Sequence, residues 1–157
     1  MQTVLLGKQE EQFYCAIASS FMLSADNAHA VHPHIPQKTD ATNCVYMNEG
    51  IVVKSHAGQK YTSDAVSVAV FKDLCKKLMC LYQFFANRSD EAGGSTLGNI
   101  AMAQVSMNSV DIGLPQLAMH STYETAGIKD TYYMIQVMTE FFNCHISEVN
   151  SHSLKVD

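Results

Sequence analysis

Two β-rich runs, IVVKSHA at 51–57 and YQFFAN at 82–87, bracket the amphipathic segment SDAVSVAVFKDLCKKLM at 63–79. No other feature constrains the fold as much. A strand, a helix and a second strand joined by short turns pair the two strands in parallel, with a right-handed crossover. Val68, Phe71, Leu74, Cys75 and Leu78 fall on one helical stripe of the middle segment. Thr62 or Ser63 is placed to cap that helix, and Asp64 falls in its first turn. Lys72, Lys76 and Lys77 gather toward its end, as the helix dipole favours. Gly58 closes the first strand.

The alternation continues on both sides. Residues 8–18 and 99–107 read as helices, and 20–26 and 109–113 as strands, the former ending on Asp26. Residues 129–144 form a last helix, with Tyr133, Ile135, Val137, Met138, Phe141 and Phe142 as apolar surface. Residues 27–49, with Pro33 and Pro36, the glycine-rich 89–98 and 114–128 read as loops. The expected class is α/β. With 157 residues, 47% hydrophobic and 16% charged, one domain with a true core is expected. Ten basic residues against 15 acidic, with no basic block, argue against a nucleic-acid or membrane partner. Five cysteines, an odd number without a C-x-x-C pair, argue against a disulfide framework or a cysteine zinc site. Reduced thiols in a cytoplasmic protein are the expectation. The longest apolar stretch, Phe13–Leu23, is broken by Ser19 and Ser20 and preceded by Glu10 and Glu11, unlike a signal peptide or a membrane span.

In parallel sheets, functional groups gather on loops beyond the carboxyl ends of strands. That rule selects Asp26, the 87–98 loop and the loop after Gly113, which holds His120. Asp26, His29, His32 and His34 place four potential metal ligands close together, of types that suit zinc, although D-x-x-H-x-x-H-x-H is no common zinc pattern. A polar surface loop accounts for the three histidines equally well. An acid ending an apolar strand is costly to bury unless paired or metal-bound. Lys54 is the only charge in its strand; it either snorkels to water or receives an acidic ligand. NRSDEAGGSTLG lacks the lysine of a phosphate loop, so Gly93 and Gly94 are read as serving positive φ or a close backbone approach. No G-x-S-x-G elbow is present, and nothing in the spacing supports Cys44 with His120 as a thiol nucleophile pair.

Four segments in order, SADNAHAVHPHIPQK, GIVVKSHAGQKYTSDA, NRSDEAGGSTLGNI and VDIGLPQLAMHSTYE, resemble the C-terminal part of the aspartyl aminopeptidase family. The resemblance runs from about residue 10 to about residue 145. It implies a partial three-layer αβα zinc-peptidase domain with a mixed, largely parallel sheet, all 157 residues being the C-terminal segment of the catalytic domain. The implied activity is that of a dinuclear zinc exopeptidase, a hydrolase that releases N-terminal Asp or Glu from peptides with water activated on the metals. The resemblance assigns Asp26 to one zinc and His120 to the other. It assigns His29 to the substrate pocket and Lys54 to the acidic side chain of the substrate. It places Gly93 and Gly94 in a glycine-rich loop beside the substrate. His32 and His34 are not carried over as ligands. Asn99 stands where the family commonly has proline.

The family's first metal-binding histidine, bridging aspartate, paired glutamates and inserted dimerisation domain lie upstream of these motifs and have no counterpart here. Glu124, Glu140 and Glu148 match no general base. The isolated chain is therefore expected to be inactive, and a homo-oligomer is expected of the complete enzyme. A second expectation is a non-catalytic truncated module that joins an assembly through an exposed half-core. A third is a single-metal site of His29, His32 and His34.

Overall fold

The computed structural model describes residues 10–150 and 153–157. Its elements are α1 (Glu10–Ala18), β1 (Phe21–Ala25), β2 (Ala28–His29), β3 (Ile51–Ser55), α2 (Ala65–Lys77), β4 (Tyr82–Ala86), α3 (Leu97–Gln104), β5 (Asn108–Gly113), β6 (Pro115–Leu117), β7 (Thr125–Ala126), α4 (Ile128–Asn143), β8 (Ile146–Asn150) and β9 (Ser153–Val156). The helix read at 8–18 thus begins at Glu10, its first two residues lying outside the described ones.

The main sheet has the order β1-β5-β3-β4. β3 pairs in parallel with β4 across the α2 crossover, and β1 in parallel with β5, whereas β3 and β5 run antiparallel. The class is a mixed α/β sheet, as expected. Side-chain alternation divides the two faces. Ile51, Val53, Val110 and Ile112 point to one side, where they meet Phe71, Leu74 and Cys75 of α2 and Val137 of α4 in a fully buried core. Each such side chain contributes about 1.5–3 kcal/mol on leaving water. The other face carries Val52, which packs with Ala28, Val45 and Phe85. Lys54, two residues after Val52, must share that second face; a slip of one residue would drive its charge into the main core.

Three details differ from the sequence reading. The N-cap of α2 is Asp64, whose carboxylate accepts from Ser67 N while Ser67 Oγ accepts from Asp64 N. Thr62 and Ser63 do not cap because both are bonded to Asp111 of β5. Second, the presumed loops 27–49 and 114–128 contain β2, β6 and β7, a small sheet of order β2-β6-β7. Its strands are too short to leave a period-two pattern. Third, β8 and β9 form an antiparallel hairpin where no element was assigned, and Val156 packs against the main core.

The entry to β3 is fixed from a distance. Asp130, in the first turn of α4, is fully buried, and its carboxylate accepts from Asn48 N at 2.5 Å and Gly50 N at 2.8 Å. Gly50 has φ +118°, and a Cβ there would lie 2.6 Å from Tyr82 N, so only glycine fits this approach to β4. Among the described residues, no helix is long and apolar enough to cross a membrane.

Candidate functional site

Asp26 follows β1, with its amide bonded to Ile112 O of β5 at 3.0 Å. Its carboxylate accepts from Asn27 N at 2.8 Å and is exposed. The expected burial cost of an acid ending an apolar strand does not arise. β1 is an edge strand whose Phe21, Met22 and Leu23 are only half-buried, and the acid projects beyond it into solvent.

Lys54 is 2% exposed. Its ammonium donates to Asn27 O at 3.3 Å and stands 5.3 Å from the centre of the Tyr61 ring. It does not snorkel: β3 is an interior strand, and the side chain is enclosed on the second face. Burial lowers its pKa, and the carboxylates of Asp26 and Asp111 oppose that shift. Asp111, fully buried, is anchored by Ser24 Oγ at 2.5 Å, Thr62 N at 2.6 Å and Thr62 Oγ1 at 3.0 Å. The cation is therefore enclosed near fixed negative charge with, among the described residues, one hydrogen bond, to a carbonyl 3.3 Å away.

Tyr61 links this lysine to the glycine-rich loop. Its hydroxyl donates to Asn87 Oδ1 at 3.3 Å, its ring meets His56 and Phe85 edge-on, and burial raises its pKa. A Cβ on Gly93 would lie 2.9 Å from Asn87 Nδ2 and 3.0 Å from His56 Nε2. Lys60 Nζ donates to Gly93 O at 2.8 Å. Gly93 is thus a close-approach glycine without positive φ. Gly94 is neither, having open space about its Cα, which corrects the reading for that residue. β4 runs opposite to β5, so the 87–98 loop leaves from the other end of the sheet and returns across the face. At Gly98 a Cβ would lie 2.6 Å from Ser24 Oγ and 2.9 Å from Asp111 Oδ1.

His29 lies on β2, paired in register with Gln116 of β6. Partial burial lowers its pKa, with the positive charges of His120 and Lys54 adding to the effect. His120 sits in a loop with φ +68°, close after Ala118 at φ +56°; both are left-handed conformations uncommon for such residues. Ser121 N donates to Ala118 O at 3.0 Å and His120 N donates to the Glu124 carboxylate at 2.7 Å, which holds the turn. The imidazole is left exposed. Beside His29 opens a cleft of about 340 Å³, lined among others by Phe85, Arg88 and Gln116.

Lys54 therefore lies within electrostatic reach of both Asp26 and His29, and His29 within reach of His120. His32 and His34 stack on each other at 5.8 Å, but no group of three or more His, Cys, Asp or Glu among the described residues could hold a metal. The three-histidine site is thus not assembled. As donors, Asp26 and His120 suit zinc in kind and are accessible; in number they fall short of the three or four protein ligands such a site uses. Glu140 pairs with the exposed Lys77 at 2.5 Å. The sequence reading did not single out Tyr61, Asp111 or Gln116. Only Asp111 left a signal, as a lone acid inside an apolar strand.

The aminopeptidase I zinc metalloprotease (M18) family model matches residues 1–142. A "Probable M18 family aminopeptidase 2" of Clostridium novyi is 48% identical over 140 residues, 89% of this chain and 32% of the relative. The chain thus spans about a third of the length of the curated relatives it matches. The solved complex of Ape4 and Nbr1 is similar at 35% identity and TM-score 0.85, over 88% of this chain and 26% of that one. The mApe1 dodecamer of S. cerevisiae is similar at 25% identity and TM-score 0.72, over 83% of this chain and 28% of that one. This chain belongs to the aminopeptidase I zinc metalloprotease (M18) family.

Proposed function

We propose that the chain is the C-terminal segment of the catalytic domain of a zinc aminopeptidase that releases N-terminal acidic residues from peptides. The observation that carries the reading is the enclosed ammonium of Lys54, held by one carbonyl at 3.3 Å in a family of aminopeptidases. A carboxylate arriving there gains direct charge pairing, and an apolar side chain would leave the cation unpaired. Asp26 and His120 would hold zinc, which supplies a Lewis acid that activates water and polarises the scissile carbonyl. His29, whose pKa is lowered by burial, orients the substrate by hydrogen bonding. The Gly93–Gly94 loop, with the space open beside Gly94, lets a substrate main chain approach.

The chain alone lacks a general base and further ligands, so it is inactive by itself, and the complete enzyme is a homo-oligomer acting in the cytoplasm. The decisive experiment replaces the matching third of the Clostridium novyi relative with this chain. The chimera is expected to release N-terminal Asp and Glu with zinc, and to lose activity with Asp26→Ala or His120→Ala. A folded chimera without activity refutes the proposal. Zinc-dependent release of N-terminal Asp by the 157-residue chain itself refutes the claim of inactivity.

A second reading, a non-catalytic assembly module, draws on one observation. Ile128, Tyr132 and Ile135 form a stripe along α4 that is 83%, 60% and 61% exposed. Light scattering that shows a monomer at high concentration argues against it.

A further inference from the structure

We propose that the cleft beside His29 binds the main chain of a peptide, with Gln116 accepting a hydrogen bond from a peptide N–H. The inference rests on the aminopeptidase reading and extends it past the first residue of the substrate.

Gln116 is 3% exposed, and its Oε1 has no hydrogen-bond partner among the described residues. A buried acceptor without a donor is rare and calls for a specific account. The residue lines the cleft, and its backbone is fixed on both sides. β6 pairs with β2 in register His29↔Gln116, and Ala30 N donates to Gln116 O at 3.0 Å. The cavity, about 340 Å³, reaches the size of sites that take small ligands.

The charges at the rim decide what it takes. Arg88 is engaged by the Asp90 carboxylate and by Gln37 O. Asp40 accepts from Thr42 N at 3.0 Å and from Asn43 N and Nδ2 at 2.8 Å. Lys38 and Glu91, of opposite sign, also line the cleft, so its formal charges balance and none singles out an anion such as phosphate. What it offers besides is an unpaired neutral acceptor, with the apolar side chains of Phe85 and Leu117 also in the lining. A neutral chain that brings an N–H at each residue matches that offer. Position agrees, because His29 borders the cleft and stands within electrostatic reach of Lys54. A substrate whose first side chain reaches Lys54 passes His29 and enters the cleft with the residues that follow.

The test titrates the isotopically labelled 157-residue chain with aspartic acid amide, with Asp-Ala-Ala, and with two versions of that peptide N-methylated at one or the other amide. Lys54, His29 and Gln116 side-chain signals are followed by NMR. The tripeptide is expected to bind about 10-fold more tightly than the amide, the worth of one good buried hydrogen bond. Only the tripeptide should move the Gln116 amide, and methylation at one position should remove the gain. In Gln116→Leu the two ligands should bind alike; if that variant misfolds, the methylated peptides carry the same test on the unaltered protein. Equal affinity of amide and tripeptide, or a gain that survives both methylations, overturns the inference. If aspartic acid amide moves Lys54 while the tripeptide leaves Gln116 unmoved, the inference falls and the acidic pocket stands. If no ligand moves Lys54 or His29, both fall.

Discussion

Replacing Lys54 with methionine separates fold from function at the residue on which the proposal rests. The ammonium is 2% exposed, with one hydrogen bond at 3.3 Å and a ring 5.3 Å away. Enclosing a charge is expensive, and exchanging buried charge for an apolar group of like shape is often neutral or stabilising by about 1–4 kcal/mol. Here the exchange also removes the attraction of Asp26 and Asp111. Asp26 is solvated, and Asp111 keeps the donors Ser24 and Thr62. The net expectation for Lys54→Met is therefore a change of about 0 to +2 kcal/mol in stability, a urea midpoint equal to the parent or raised by up to about 1 M. Binding of aspartic acid amide should weaken by about 30-fold or more, as loss of a buried charge partner does. In the chimera, preference for Asp over Leu should vanish. A midpoint lowered by the equivalent of more than about 2 kcal/mol would make Lys54 a structural cation. Unchanged affinity for the acidic ligand would remove it from specificity altogether.

Other perturbations probe the frame around the site. Asp130→Ala leaves the buried amide of Gly50 and the part-buried amide of Asn48 without acceptors and should cost about 2–4 kcal/mol in urea unfolding; a loss under about 1 kcal/mol would mean that water replaces the carboxylate. Gly98→Ala drives a Cβ to 2.6 Å from Ser24 Oγ and should cost about 1–3 kcal/mol while changing amide shifts in residues 93–98; an unperturbed spectrum would refute the packing there. Burial pushes the Cys75 thiol up to about 12. Because the folded state holds this proton more tightly than the unfolded one, the stability it provides is complete below pH 9 and is lost as pH rises toward about 12. That window is worth about 4 kcal/mol, so Cys75→Ala should flatten the alkaline fall in stability relative to its own neutral value. A parallel fall in both proteins would contradict the burial.

The β3–α2–β4 unit was legible because its signals are local: β-branched runs, one apolar stripe, lysines near a helix end. The short strands of the second sheet were not, since two residues carry no period and pair only because β5 leads directly into β6 beside the end of β1. The cap of α2 was misread for a similar reason. Thr62 and Ser63 are good caps in isolation, but Asp111, remote in sequence, engages Thr62 through its carboxylate and Ser63 through its backbone.

The same division holds for the candidate site. Four ordered segments specify the family, and residue type alone supplies the polar groups at the site: Asp26, His29, Lys54 and His120. Only the tertiary structure decided what those charges experience. Strand alternation and an interior position enclose Lys54, an edge strand leaves Asp26 in water, and a left-handed turn exposes His120. Gln116 shows the limit most plainly, because its oxygen meets no donor among the described residues, a property of its neighbours in space. Residue type sets which chemistry is available; burial and hydrogen-bond partners come from segments far apart in the chain, and only the fold brings them together.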